Sequence, residues 1–344
     1  MDYFSPAVIG PLIVSVGIGV GVILWQKSRN SGGQTKAGGS ILNQYVTNFS
    51  ERAKQGKLDP VIGRQREVDQ LVRVLSRKTK NNALLLGEPG VGKTAVVERL
   101  AQMINAGLIP EQLKGKEIIA LDLASLVAGT KYRGELEQRL EAVRRELESK
   151  AGQVILFIDE IHQLSQAQGS EGGLNPADIL KPELARGYLQ VIGATTYEEY
   201  EKYVLADESL ERRFQPIHIH EASLDETLNI LQGVKPVFEK FHHVSYSPEA
   251  LQAIIDLSKK YITKRYLPDK AIDVLDEAGV RARINAIKSS AAASMAAANT
   301  TGVAAVNNGA PAQATSATPT GTVDVDLVRA VVAEWVDQPV EQIK

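Results

Sequence analysis

The 344-residue chain contains no cysteine, which excludes disulfides, thiolate zinc sites and a thiol nucleophile. Its five histidines include no H-E-x-x-H spacing, so a helix-borne zinc protease centre is excluded as well. An excess of either charge is also missing. The 39 Lys and Arg residues face 41 Asp and Glu, a net charge of −2, and no polyelectrolyte argument favours nucleic acid as a partner. Aromatic residues make up only 5% of the chain, which makes the setting of one of them conspicuous. The stretch GTKYRGE places Tyr132 between Lys131 and Arg133, with Gly134 behind it. A tyrosine bound for a core would have apolar neighbours. This one reads as part of a short exposed loop presenting its ring to something.

Long apolar runs are rare, with one exception at the N-terminus. Tyr3–Trp25 is 23 residues without a charge, long enough to cross a hydrocarbon core with some tilt. A cleaved signal peptide would begin with positive charge and end in small residues; here Asp2 precedes the run and Trp25-Gln26-Lys27 closes it. A buried core helix would show a polar face, and this run has none. The expectation is a transmembrane helix over 1–25. Lys27, Arg29 and Lys36 follow it, which by the positive-inside rule places the bulk of the chain in the cytoplasm. Residues 26–40 (QKSRNSGGQTKAGGS) have the composition of a flexible tether. A second low-complexity stretch, 289–322, is uncharged and rich in Ala, Ser, Thr, Asn and Gly. Its alanines permit some helix, but it offers no core face, and a disordered insertion is expected. Ordered domains are expected over 41–221 and 222–288, completed by 323–344.

The clearest chemistry lies near residue 90. The apolar run Asn82–Leu86 is of strand type. It is followed by Gly87-Glu88-Pro89-Gly90-Val91-Gly92-Lys93-Thr94 and then by helical periodicity from Ala95 to Ala106. This is G-x-x-x-x-G-K-T in its required strand–loop–helix setting. Its glycines let successive backbone N–H groups turn toward phosphate oxygens at a helix N-terminus, where the dipole favours anions. Lys93 is expected to reach the β- and γ-phosphates of ATP, and Thr94 to hold Mg2+ through its hydroxyl. Val154–Ile158 reads as a strand buried on both faces, so Asp159 and Glu160 emerge at its C-terminal end, where open α/β folds bind ligands. Asp159 is placed for Mg2+, and Glu160 to orient and deprotonate an attacking water.

A third apolar strand, Leu189–Ala194, ends in Thr195 and Thr196, which are either ordinary strand-end residues or contacts for the γ-phosphate or lytic water. Arg212 and Arg213 precede a fourth strand candidate, Pro216–His220. They read as a solvated basic pair or as an arginine finger. Beyond them the apolar spacing predicts helices near 224–240, 248–261 and 268–286. A capping box at Ser223–Glu226 opens the first, and Ser247-Pro248 opens the second. Asp326 is the expected cap of a last helix over about 327–336.

GKLDPVIGR (56–64), GEPGVGKT, KYRGE, ILFIDEIH, IGATTYEEY, LERRF and LPDKAID (267–273) occur in this order, and together they resemble the first ATPase module of the Clp unfoldases, the ClpB/ClpC type of AAA+ protein. The resemblance covers about residues 45–288 and resumes over 323–344. It implies an α/β AAA+ P-loop NTPase fold, a parallel sheet between helices with a small helical lid. By the same resemblance Val61 and Ile62 bracket the adenine, Gly87–Thr94 is the Walker A loop, and Asp159 with Glu160 is Walker B. Thr196 falls at the sensor-1 position. Arg212 and Arg213 match fingers that reach the ATP of a neighbouring subunit in a hexameric ring. Tyr132 matches the pore-loop aromatic that grips polypeptide, with Lys131 and Arg133 beside it; Gly169–Asn175 would be a second channel loop.

Departures from the family pattern are informative. The membrane span stands where the family has a recruiting domain, no second ATPase module is matched, and the uncharged stretch 289–322 stands where ClpB inserts a coiled coil. Asp269-Lys270 occupies the region where other AAA+ modules carry a sensor-2 arginine. No peptidase partner is implied. The expected function is a membrane-anchored, ring-forming motor that unfolds or remodels polypeptides through a central pore. The alternative is an assembly ATPase that changes a membrane-associated partner without threading it. Nucleic acid is not an expected substrate.

Overall fold

The computed structural model describes residues 44–128, 133–166, 189–206, 211–300 and 321–343. The expected membrane span and tether, both expected channel loops (Lys131 and Tyr132 in the first) and residues 301–320 of the expected insertion lie outside them. Among the described residues no helix is long and apolar enough to cross a membrane. Residues 45–344 form one compact unit.

Six strands build the main sheet: β1 (Val46–Asn48), β2 (Asn82–Leu86), β3 (Glu117–Leu121), β4 (Val154–Ile158), β5 (Gln190–Thr195) and β6 (Phe214–His218). Their spatial order is β1-β3-β4-β5-β2-β6. Every pairing is parallel except that of β1 with β3. The sheet is therefore mixed rather than purely parallel, because a three-residue edge strand runs in against β3 before the first helix. All residues of β2, β4 and β5 are buried, as expected of strands covered on both faces. Ala83 and Leu85, Ile155 and Phe157, and Ile192 and Ala194 point to one face. There they pack against Val96, Val97 and Leu100 of the helix Lys93–Asn105 and Val68 and Leu71 of the helix Gln65–Leu75. Each fully buried leucine of this kind contributes about 1.5–3 kcal/mol of transfer free energy.

The second subdomain is helical. Leu224–His242, Pro248–Tyr261, Asp269–Thr300 and Val325–Trp335 pack around Leu231, Ile254, Val274, Leu275 and Val331. A two-stranded parallel ribbon joins them, β7 (Val244–Tyr246) with β8 (Gly321–Val323). The Ser223–Glu226 capping box is present, as is the Ser247 cap with proline at the first helical position. Three boundaries differ from expectation. The last helix is capped by Asp324, whose side chain accepts from Leu327 N, and not by Asp326. The strand expected at Pro216–His220 is β6, Phe214–His218, two residues earlier, because Phe214 pairs with Asn82 at the start of β2. The third lid helix continues to Thr300, well past Lys288, since an alanine-rich run extends a helix that is already nucleated.

Candidate functional site

β2 delivers the chain to the phosphate loop at the C-terminal edge of the sheet, where Gly87 N donates to Thr195 O of β5 at 3.2 Å. Gly90 and Gly92 then take φ of +81° and +97°, a region L side chains enter only with strain. The helix begins at once at Lys93, with Gly92 as its cap, no capping side chain and no acidic residue in its first turn. Its first N–H groups are left to an anion. The Lys93 side chain, only 7% exposed, folds back over the loop, and its Nζ donates to the carbonyls of Gly87 (2.8 Å) and Glu88 (3.1 Å). Its charge is thus held where phosphate oxygens are expected.

Across β4 the Thr94 hydroxyl lies 3.4 Å from Asp159 Oδ2. A hydroxyl and a carboxylate together are a hard-oxygen donor pair, which suits Mg2+ with phosphate and water completing the octahedron. Glu160 follows at φ +49°, a left-handed conformation that is uncommon for glutamate and is found at functional turns. Burial raises its carboxyl above the usual range. The nearby charges of Glu199 and Asp159 add to this, while His162 and Lys93 oppose it.

Thr195 is fully buried, and Thr196 caps the short helix Tyr197–Glu199 in a reciprocal capping box with Glu199. Burial acts to raise the Glu199 carboxyl, but hydrogen bonds from Thr196, with His162 and Thr195, outweigh it and bring it down. His162 Nδ1 lies 3.0 Å from Thr195 Oγ1. His162 and Glu199 were not singled out from the sequence. The T-x-x-E spacing of Thr196 and Glu199 was the one signal that could have exposed Glu199.

The phosphate loop and the end of β4 open on a cavity of about 490 Å3. Gly90–Thr94, Asp159 and Glu160 line one end. The other end is apolar and is built from both subdomains, with Val61 and Ile62 on one side and Ile230, Val234, Phe238 and Ile272 on the other. Arg64 joins the two ends: it donates to Val91 O at 2.7 Å and pairs with Glu67 at 3.2 Å. The lid reaches the phosphate loop through Asp269, so closely that a Cβ at Gly90 would fall 2.7 Å from the Asp269 Cβ. Asp269 is held by Arg265 at 2.9 Å. Lys270 is directed elsewhere, buried with its Nζ donating to Ile262 O at 2.9 Å.

Gly87, Glu88 and Thr196 do not line the cavity, and the arginines and the first channel loop stand apart from it. Arg212 and Arg213 are exposed and immediately precede β6. β6 runs parallel to β2, with Phe214 opposite Asn82 and His218 opposite Leu86, so the arginines lie at the edge of the sheet remote from their own phosphate loop. Of the expected first channel loop, Gly134 is exposed and Arg133 opens the helix Arg133–Ser149.

Residues 83–218 match the family described as "ATPase family associated with various cellular activities (AAA)", and residues 223–318 match the AAA lid domain. The chaperone protein ClpB of Oceanobacillus iheyensis is 52% identical over 254 residues, which is 74% of this chain and 31% of that protein. The chloroplastic chaperone protein ClpC2 of Oryza sativa is 49% identical over 276 residues, 80% of this chain and 29% of its own length. Among solved structures, a closed-state reconstruction of Hsp104 with ATPγS and FITC-casein superposes with a TM-score of 0.73 at 38% identity, covering 88% of this chain and 47% of the Hsp104 chain. The Saccharomyces cerevisiae Hsp104–ADP complex gives 0.66 at 44% identity, over 71% of this chain and 34% of that one. The chain thus spans about a third of the length of the curated relatives it matches. On these matches it belongs to the AAA ATPase family and carries a Clp/Hsp100-type AAA+ module.

Proposed function

We propose that this chain is a membrane-anchored AAA+ motor that assembles into a ring, hydrolyses ATP and uses the cycle to unfold or remodel polypeptides drawn through the ring's centre. The observation that carries the reading is the convergence of Lys93, Thr94, Asp159 and Glu160 on one cavity walled by both subdomains. In the proposed reaction the base enters the apolar end, against Val61 and Ile62. Lys93 and the loop N–H groups hold the phosphates. Thr94 and Asp159 would hold Mg2+, which would supply positive charge against the phosphates. Glu160 takes a proton from water as its oxygen bonds to the γ-phosphorus and the bond to the ADP oxygen breaks. Thr196 orients the attacked end, and Arg212 with Arg213 serves the site of the next subunit. Closing and opening of the lid then moves the Tyr132 loop against substrate.

ATP binding and turnover, measured separately, test the chemistry. Lys93→Ala should lose nucleotide binding, and Glu160→Gln should bind ATP normally while losing turnover by at least about 100-fold, as expected for removal of a general base. A Glu160→Gln form that hydrolyses at the wild-type rate would refute the assignment. The anchor rests on the uncharged run 3–25 and the basic residues after it. Protease added outside spheroplasts should leave the ATPase module intact, and its digestion there would reverse the orientation.

A further inference from the structure

His162 is 4% exposed and bridges two parts of the site that the sequence keeps apart. Its Nδ1 lies 3.4 Å from Glu160 Oε2, and its Nε2 lies 3.2 Å from Glu199 Oε1. An ionised carboxylate can only accept, so a ring nitrogen that holds one must carry a proton: Nε2 toward Glu199, and Nδ1 toward Glu160 and toward Thr195 Oγ1, which lies nearer at 3.0 Å. Glu199 is itself pinned. Its Oε2 accepts from Thr195 Oγ1 (3.2 Å), Thr196 Oγ1 (2.8 Å) and Thr196 N (3.3 Å). Tyr203 stacks on the imidazole with ring centres 6.0 Å apart. The ring therefore cannot turn without breaking polar contacts at both nitrogens.

Glu160, His162 and Glu199 place one ligand atom each within 4.8 Å of one another, which raises the question of a metal. The two carboxylates approach different ring nitrogens, and the protonated Nε2 has no lone pair to offer. The cluster is therefore a row of close polar contacts and not a cage.

Glu160 needs such a partner. Its side chain is 41% exposed and reaches into the cavity on freely rotating bonds, whereas a general base is effective only within hydrogen-bond reach of the water it activates. We propose that His162, clamped by Glu199, is a positioning residue that holds the Glu160 carboxylate and links its placement to the strand-end threonines Thr195 and Thr196. This rests on the reading of Glu160 as the base. It adds a route from the end of β5 to the base, through Glu199 and the imidazole.

The test compares kcat and KM for ATP in the full chain for His162→Ala, His162→Asn, Glu199→Gln, Glu160→Gln and the His162→Ala/Glu160→Gln double variant. Misplacement of a base by about 1 Å costs on the order of 100-fold. His162→Ala should therefore lower kcat about 10- to 100-fold with KM little changed, and Glu199→Gln should follow it in the same direction. His162→Asn, whose amide can stand near Nδ1, should recover part of the rate. In the Glu160→Gln background, His162→Ala should leave the residual single-turnover rate within about 2-fold, because residues that act as a unit are not additive. Equal losses in both backgrounds, or a loss seen in KM alone, would assign His162 to packing and overturn the proposal. If His162→Ala does not fold, His162→Asn and Glu199→Gln decide: full kcat in both overturns it. If Glu160→Gln keeps wild-type turnover, the base assignment itself falls. If Glu160→Gln abolishes turnover while every His162 and Glu199 variant keeps full rate, only the positioning role falls.

Discussion

Tyr132 separates threading from mere nucleotide cycling. In the proposed mechanism hydrolysis uses the phosphate site and a neighbour's arginine, and neither includes this tyrosine. Gripping a polypeptide of any sequence requires contact area with little side-chain entropy to lose, which an aromatic ring supplies. Tyr132→Ala should therefore keep ATP turnover within a few-fold of wild type and abolish unfolding of a tagged protein substrate, while Tyr132→Phe retains most unfolding. Full unfolding by the alanine form would show that the loop does not touch substrate and would favour the non-threading alternative. At this scale the sequence was most legible where a role depends on local spacing. Lys93 and Thr94 belong to one loop, and Asp159 and Glu160 to one strand end, and the structure brings all four to a single cavity. His162 escaped because its meaning depends on β4 and β5 being neighbours and on which way a buried imidazole faces. Glu199 escaped for the same reason, although its cap with Thr196 is local.

Among elements, the lid helices were legible because their starts are written in capping chemistry, and Ser223 and Ser247 behave as that chemistry requires. Asp326 was a misleading cap. It lies two residues beyond Asp324, inside the first turn of Val325–Trp335, where it pairs with Arg329 at 3.1 Å. The difference is measurable. Asp324→Ala should destabilise the protein by about 1 kcal/mol, the usual cost of a lost N-cap, whereas Asp326→Ala should stay within about 0.5 kcal/mol, as for an exposed site. Denaturant melts of the two variants check this, and an equal or reversed ranking would return the cap to Asp326. The position of β6 was less legible, since Pro216 reads as a strand start in isolation. It is tolerated inside the strand because β6 is the sheet's edge and, among the described residues, has no partner strand on one side.

For the whole molecule, the direction of β6 sets what one copy can do alone. His218 lies four positions beyond Phe214, so Arg212 and Arg213 start about 13 Å of strand away from the edge that carries the phosphate loop. One copy holds the phosphate loop at one edge of its sheet and the proposed finger at the other. Mixing Arg212→Ala with Glu160→Gln subunits should restore part of the turnover that each lacks, and wild-type turnover should rise with protein concentration as rings assemble. Mixtures that stay inactive at every ratio, together with turnover independent of concentration, would refute action between subunits. Asp269 has a consequence of another kind. The residue seated on Gly90 is also the first of a 32-residue helix, about 48 Å long at 1.5 Å per residue. A pivot at one end of so long a beam amplifies. A tilt of about 5° at the phosphate-loop end would displace the far end at Thr300 by about 4 Å over that length.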